Sequence, residues 1–130
     1  MNEKNSNNII GGDIIYKINF FWLVGKFVYD RRNYSDNIID KCSNYLSYYF
    51  GDSYSFSYSN ILYMRKFYLS FPVYLKKFEN IGWDYYVDLL KLNNQDMAKF
   101  YLKVCLFCNM DYSNFKKMIN NNIYLILLNY

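Results

Sequence analysis

A chain of 130 residues that is 53% hydrophobic and 23% aromatic buries enough apolar area to offset its ordering entropy. General disorder is excluded, and two ordinary domains would need a longer chain. Fifteen Lys and Arg against 11 Asp and Glu leave +4, an excess that permits a polyanionic partner without demanding one.

The polar start, MNEKNSNN, carries an acid and lacks the basic region and apolar run of a secretory signal. Residues 1–12 are expected to be a flexible segment ending at Gly11-Gly12, and 13–130 one helical domain. Ile14, Ile18, Phe21, Trp22, Gly25, Val28 and Tyr29 then recur at three-and-four spacing, which predicts an amphipathic helix leaving through the charged DRRN at 30–33. Ser35 is the expected cap of a second helix with an apolar stripe of Ile38, Cys42, Tyr45, Leu46 and Tyr49, stopped by Gly51. After the turn-rich GDSYSF, Ser57 caps a third helix that carries Ile61, Met64 and Tyr68 on one side and halts at Phe71-Pro72.

The stretch VYLKKFEN predicts a short helix, and Gly82-Trp83-Asp84 opens another in which Trp83, Tyr86, Val87 and Leu90 share a face. Asn93 or Asn94 caps a longer one with Met97, Phe100, Tyr101, Val104, Cys105 and Cys108 inward. A last helix follows Asp111 or Ser113 and uses Phe115, Met118, Ile119, Ile123, Ile126 and Leu127. No run alternates as a strand does. The expected fold is all-α, a compact bundle of about six to seven helices with a helix-turn-helix-like C-terminal half.

Runs such as FFWLV and IYLILL are far below the roughly 20 apolar residues needed to cross a bilayer, so no membrane partner and a cytoplasmic location are expected. Three cysteines, an odd number, also argue against a disulfide-built secreted domain. With Thr absent and Ala98 the lone alanine, the composition follows AT-rich codons, so the 17 tyrosines are weak evidence of base stacking.

Histidine is absent, which removes the commonest general base and the commonest zinc ligand together. The pairs Asp36/Asp40 and Asp84/Asp88 sit at i,i+4, but acids in a first helical turn explain them more simply. Cys105 and Cys108 form a lone CxxC on a predicted apolar stripe, where buried thiols are the simpler reading, and Cys42 would be only a third ligand. No catalytic residue, metal or cofactor is expected.

The strongest functional signal is KVCLFCNMDYSNFKKMINNN at 103–122. A helix-turn-helix takes a small residue in its first helix, a turn residue that tolerates positive φ four later, and an apolar residue six beyond. Cys105, Asn109 and Phe115 occupy those places. Lys116, Lys117, Asn120, Asn121 and Tyr124 would then form an exposed basic, amide-rich face able to grip phosphates and bond base edges, or simply a solvated one. Lys99, Lys103, Lys116 and Lys117 against Asp111 alone make this last quarter basic. Arg65 and Lys66, amid the six rings of FSYSNILYMRKFYLSFP at 56–72, are secondary candidates for a phosphate backbone.

The order of motifs is similar to that of a known family. WLVGKFVYD at 22–30, YLSYYFGDSYSFSYSNILYMRKFYLSFP at 45–72, GWDYYVDLLKL at 82–92 and AKFYL at 98–102 resemble the N-terminal helical domain of YhcG-type PD-(D/E)XK nucleases. The matching positions are Phe50, Gly51, Phe56, Ser57, Asn60, Met64, Arg65, Phe67, Tyr68, Pro72, Trp83 and Tyr101. Two positions depart, with Tyr85 where the family has histidine and Ala98 where it has arginine. The resemblance implies a recognition or regulatory module without the nuclease domain.

The function expected is therefore non-catalytic nucleic-acid binding, DNA more than RNA, through Lys116, Lys117, Asn120, Asn121, Arg65 and Lys66. The alternative is a phage or mobile-element protein that binds and regulates a nuclease, as anti-CRISPR proteins do. Its motivation is IYLILLNY, apolar nearly all round, which also suggests a homodimer.

Overall fold

A computed structural model describes Tyr16 and residues 18–130. The expected flexible segment and Ile14 lie outside the described residues. Seven α-helices are described: α1 (Ile18–Asp30), α2 (Ile38–Phe50), α3 (Tyr58–Ser70), α4 (Trp83–Lys91), α5 (Gln95–Cys108), α6 (Tyr112–Asn120) and α7 (Ile123–Leu128). The described residues include no strand, so the fold is all-α as expected. The chain divides into two compact units, one extending to Tyr74 and the other Leu75–Tyr130.

The first unit is built on α1 against α3. Ile18, Phe21, Val24 and Val28 of α1 are buried, as are Ile61, Met64 and Phe67 of α3. Full burial of each such side chain is worth about 1.5–3 kcal/mol. The two helices approach so closely at Gly25 that a Cβ there would lie 2.0 Å from the Met64 carbonyl oxygen. Trp22 Nε1 donates to the Phe71 carbonyl at 2.8 Å, which ties α1 to the end of α3. Tyr16, Phe20, Phe21 and Phe50 gather around the fully buried Phe56 with ring centroids 5.0–6.4 Å from it.

Ser57 caps α3 as expected, its Oγ accepting from the Asn60 N–H at 3.1 Å. The helix ends at Ser70, before Phe71-Pro72. Gly51 takes the left-handed conformation at the end of α2 (φ 63°), again as expected.

The start and the phase of α2 require correction. Asn37, not Ser35, occupies the N-cap position and makes no side-chain cap bond, while Ser35 Oγ accepts from Lys41 Nζ. Ile39 is the buried residue of α2. The inward face runs through Ile39, Ser43, Ser47 and Phe50, with Ser43 and Ser47 both donating to the Phe56 carbonyl, at 2.7 and 3.3 Å. Tyr45 and Tyr49, members of the expected apolar stripe, are 63% and 65% exposed.

In the second unit the expected short helix is a 3-10 turn, Lys76–Asn80, which presents the buried Phe78. Tyr86 is fully buried and its hydroxyl donates to the Phe78 carbonyl at 2.8 Å. Leu89 and Leu90 of α4 and Ala98, Tyr101, Leu102 and Cys105 of α5 complete the core. Asn94 caps α5 by accepting from the Met97 N–H.

The expected last helix is two. The apolar pattern runs across Asn120-Asn121-Asn122, but Asn122 turns left-handed (φ 55°) and α7 restarts after it. Ile126 and Leu127 are 48% and 54% exposed, so they are not the core residues the continuous helix predicted. Cys108 closes α5 and is exposed, whereas Cys105 is buried. The expectation of two buried thiols holds for one.

Candidate nucleic-acid interface

The step from α5 to α6 is set by three residues. Cys105 is fully buried in α5, Asn109 takes a left-handed conformation (φ 49°, ψ 47°), and Phe115 is fully buried in α6. These are the small, turn and apolar places that the spacing predicted. Asp111 then caps α6, its Oδ1 accepting from the Asn114 N–H at 2.8 Å.

Phe115 packs on Tyr85 of α4, with centroids 4.9 Å apart, and on Tyr112 at 6.0 Å. The Tyr85 hydroxyl donates to the Met110 carbonyl at 2.9 Å. A residue that departs from the resembled family pattern thus braces the turn between α5 and α6. Burial, with the nearby Cys105 and Asp111, raises the Tyr85 pKa and keeps this donor protonated. The second departing residue, Ala98, is buried in the core of α5.

Lys117 and Asn120 of α6 and Asn121, which caps its C-terminal end, are exposed and follow one another at i,i+3 and i,i+4, which places them on one side. Lys116 points elsewhere. Its Nζ lies 3.4 Å from Asp88 Oδ2 and 5.9 Å from the centre of the Tyr112 ring. Tyr112 also donates to Asp88, and this hydrogen bond, reinforced by burial and by Asp88 and Asp84, pushes the phenol pKa up to about 12. Asp88 therefore anchors α6 to α4, while Asp84 is the acid in the first turn of α4.

Tyr124 does not share the α6 face. Its ring packs 5.4 Å from Phe100 and its N–H donates to the Tyr101 hydroxyl at 3.0 Å, so the break at Asn122 turns it onto α5. The exposed set left by these contacts is Lys117, Asn120 and Asn121, with Lys99 and Lys103 exposed four residues apart on α5.

Arg65 and Lys66 belong to the first unit, half-buried beside Leu62, Tyr63 and Leu69 along a shallow depression on α3. The rings of 56–72 serve packing first: Phe56 and Phe67 are fully buried, Phe71 is buried, and Tyr68 lies 5.3 Å from Trp22. Of the positions that carried the resemblance, Phe56, Met64, Phe67 and Tyr101 are core, and Gly51, Ser57 and Asn60 shape helix ends. Among the described residues no three Cys, Asp or Glu side chains gather as metal ligands. No described helix is long and apolar enough to cross a membrane.

Sequence reasoning missed an open apolar groove of about 720 Å³ between α1 and α2, lined in part by Leu23, Phe27, Ile38, Cys42 and Tyr45. The signal was present, because Ile38, Cys42, Tyr45 and Leu46 of the apolar stripe expected on α2 line it.

The family model described as the DUF1016 N-terminal domain matches residues 15–125. No curated protein and no solved structure gives a significant match.

Proposed function

The chain belongs to the DUF1016 N-terminal domain family, which is YhcG-like, and from that premise we propose that it is a non-catalytic nucleic-acid-binding module. The observation that carries the reading is the left-handed Asn109 between the buried Cys105 and Phe115, which presents Lys117, Asn120 and Asn121 to solvent from the second helix of the pair. An ammonium beside two carboxamides on one helical face offers a phosphate contact together with donors and acceptors for base edges. Lys116 contributes less, being matched already by Asp88. DNA is preferred over RNA in this reading, because an α-helix enters the major groove of B-form duplexes and not that of A-form RNA.

Fluorescence anisotropy of a labelled duplex against salt tests this directly. Each phosphate contact adds about 0.9 to the slope of log affinity against log salt. Lys117→Gln should flatten the slope by about one, Lys116→Gln by less, and Asn120→Ala with Asn121→Ala should weaken binding without changing it. A wild-type slope in the Lys117→Gln protein removes α6 from the interface.

A second reading, a protein that binds and regulates a nuclease, draws on α7, where Leu125, Ile126, Leu127 and Leu128 are 42–65% exposed. Light scattering separates the two. A monomer that retards oligonucleotides supports the first, and a dimer indifferent to them but bound by a nuclease supports the second.

A further inference from the structure

We propose that the groove between α1 and α2 is a docking site for an amphipathic helix of another protein, with acidic residues flanking its apolar face. The proposal concerns the first unit and is independent of nucleic-acid binding by α6.

The walls are apolar and open. Leu23 and Phe27, one turn apart on α1, are 53% and 45% exposed, and Tyr45 on α2 is 63% exposed. Small-molecule pockets of similar volume enclose most of their ligand. A trough flanked by side chains this exposed would leave a small ligand wet, whereas a helix lays a row of side chains along it at i, i+3/i+4 and i+7. Tyr49 stacks on Tyr45 at 6.1 Å, and Tyr48 is 85% exposed, so aromatic surface continues beyond the α2 wall. Exposed aromatic residues concentrated at one apolar patch are the composition of a protein interface.

Charge selects the partner. Lys26 and Lys41 stand in the lining, and Arg31 lies 5.1 Å from the centre of the Phe27 ring. Asp30 is the acid among the lining residues and is spent on Lys26 at 2.7 Å. Asp40 is two residues from both Ile38 and Cys42, so it projects from the opposite side of α2. With Lys26 and Asp30 cancelling each other, Lys41 in the lining and Arg31 beside Phe27 remain uncompensated, which complements a helix with Glu or Asp beside its apolar stripe and repels one flanked by Lys.

The test is selection from a displayed library of helical peptides of about 18 residues, with randomised apolar and flanking positions and the full chain as bait. The expected winners carry apolar residues at i, i+3/i+4 and i+7 with Asp or Glu beside them. Their affinity should fall at least tenfold with Leu23→Glu, and several-fold with Lys41→Glu, a substitution at an exposed site. Circular dichroism and the urea midpoint of each variant confirm that the fold is kept, and Tyr48→Ser serves as a second, milder variant at the aromatic margin. Failure to enrich any motif, enrichment of lysine-flanked peptides, or winners that bind the Leu23→Glu chain equally well would overturn the proposal. So would sedimentation equilibrium showing self-association that Leu23→Glu abolishes, since the occupant would then be a second copy.

Discussion

At Gly25 two backbones meet with no side chain between them. Alanine is the better helix former by about 1 kcal/mol, so at an open helical site Gly→Ala would stabilise. Here the added methyl would lie 2.0 Å from Met64 O and 2.5 Å from its carbonyl carbon, and backbone cannot swing aside as a flexible side chain can. The clash wins. Gly25→Ala should destabilise by at least the 1–3 kcal/mol typical of overpacking, read as a lower urea midpoint at unchanged m-value. Ser57 gives a smaller, cleaner case. Its hydroxyl satisfies the Asn60 N–H at the start of α3, so Ser57→Ala should cost about 1 kcal/mol and Ser57→Asp should recover most of it. Equal midpoints for all three proteins would show that the cap contributes nothing.

At the scale of elements, Asn93, Asn109 and Asn122, all left-handed, mark the three places where the helices α4 to α7 part. An L-residue without a locally bonding side chain pays about 1–2 kcal/mol for a left-handed conformation. Asn109→Ala should therefore lower stability by about 1 kcal/mol while Asn109→Gly stays close to wild type, the relief of strain offset by the entropy of glycine. Thermal midpoints of the two variants check this, and a stable Asn109→Ala would mean the turn is not held left-handed. The role of Asn109 was legible because helix-turn-helix spacing places a turn residue there. The break at Asn122 was not, because Met118, Ile119, Ile123 and Ile126 keep helical period across it and asparagine is tolerated both inside and at the end of a helix. The phase of α2 was hidden for another reason. Its inward face contains Ser43 and Ser47, whose hydroxyls are satisfied by the Phe56 carbonyl, so the most apolar stripe is not the most buried one. For the candidate site, residue type and spacing located α6 but could not foresee that Asp88 would claim Lys116 or that Tyr124 would pack on α5.

For the whole molecule, the titrating groups divide into an acid set and an alkaline set with nothing of the histidine kind between them. Burial alone would raise the pKa of Asp52, but hydrogen bonds from Ser55, Tyr16 and the Tyr54 backbone outweigh it and leave the carboxyl below its usual value. A depressed acid contributes stability above its unfolded pKa and loses it as pH falls through the folded one, so Asp52 acts on the acid limb. Tyr112, raised mainly by its hydrogen bond to Asp88, and Cys105, pushed up to about 11 by burial and then by Cys108, act oppositely. Each contributes fully below its unfolded pKa and loses that contribution as pH rises toward the folded value. Tyr16, raised by burial and by Asp52, behaves likewise. The unfolding free energy should therefore stay flat from about pH 5.5 to 8, fall below about 4.5, and fall again above about 9. Asp52→Asn should lower the plateau and flatten the acid limb, whereas Tyr112→Phe should flatten the alkaline limb. Urea midpoints across pH decide it. A slope centred near pH 6.5 would require a group that the described contacts do not contain, and an alkaline limb unmoved by Tyr112→Phe would shift the anchoring of α6 from Asp88 to the Phe115 packing alone.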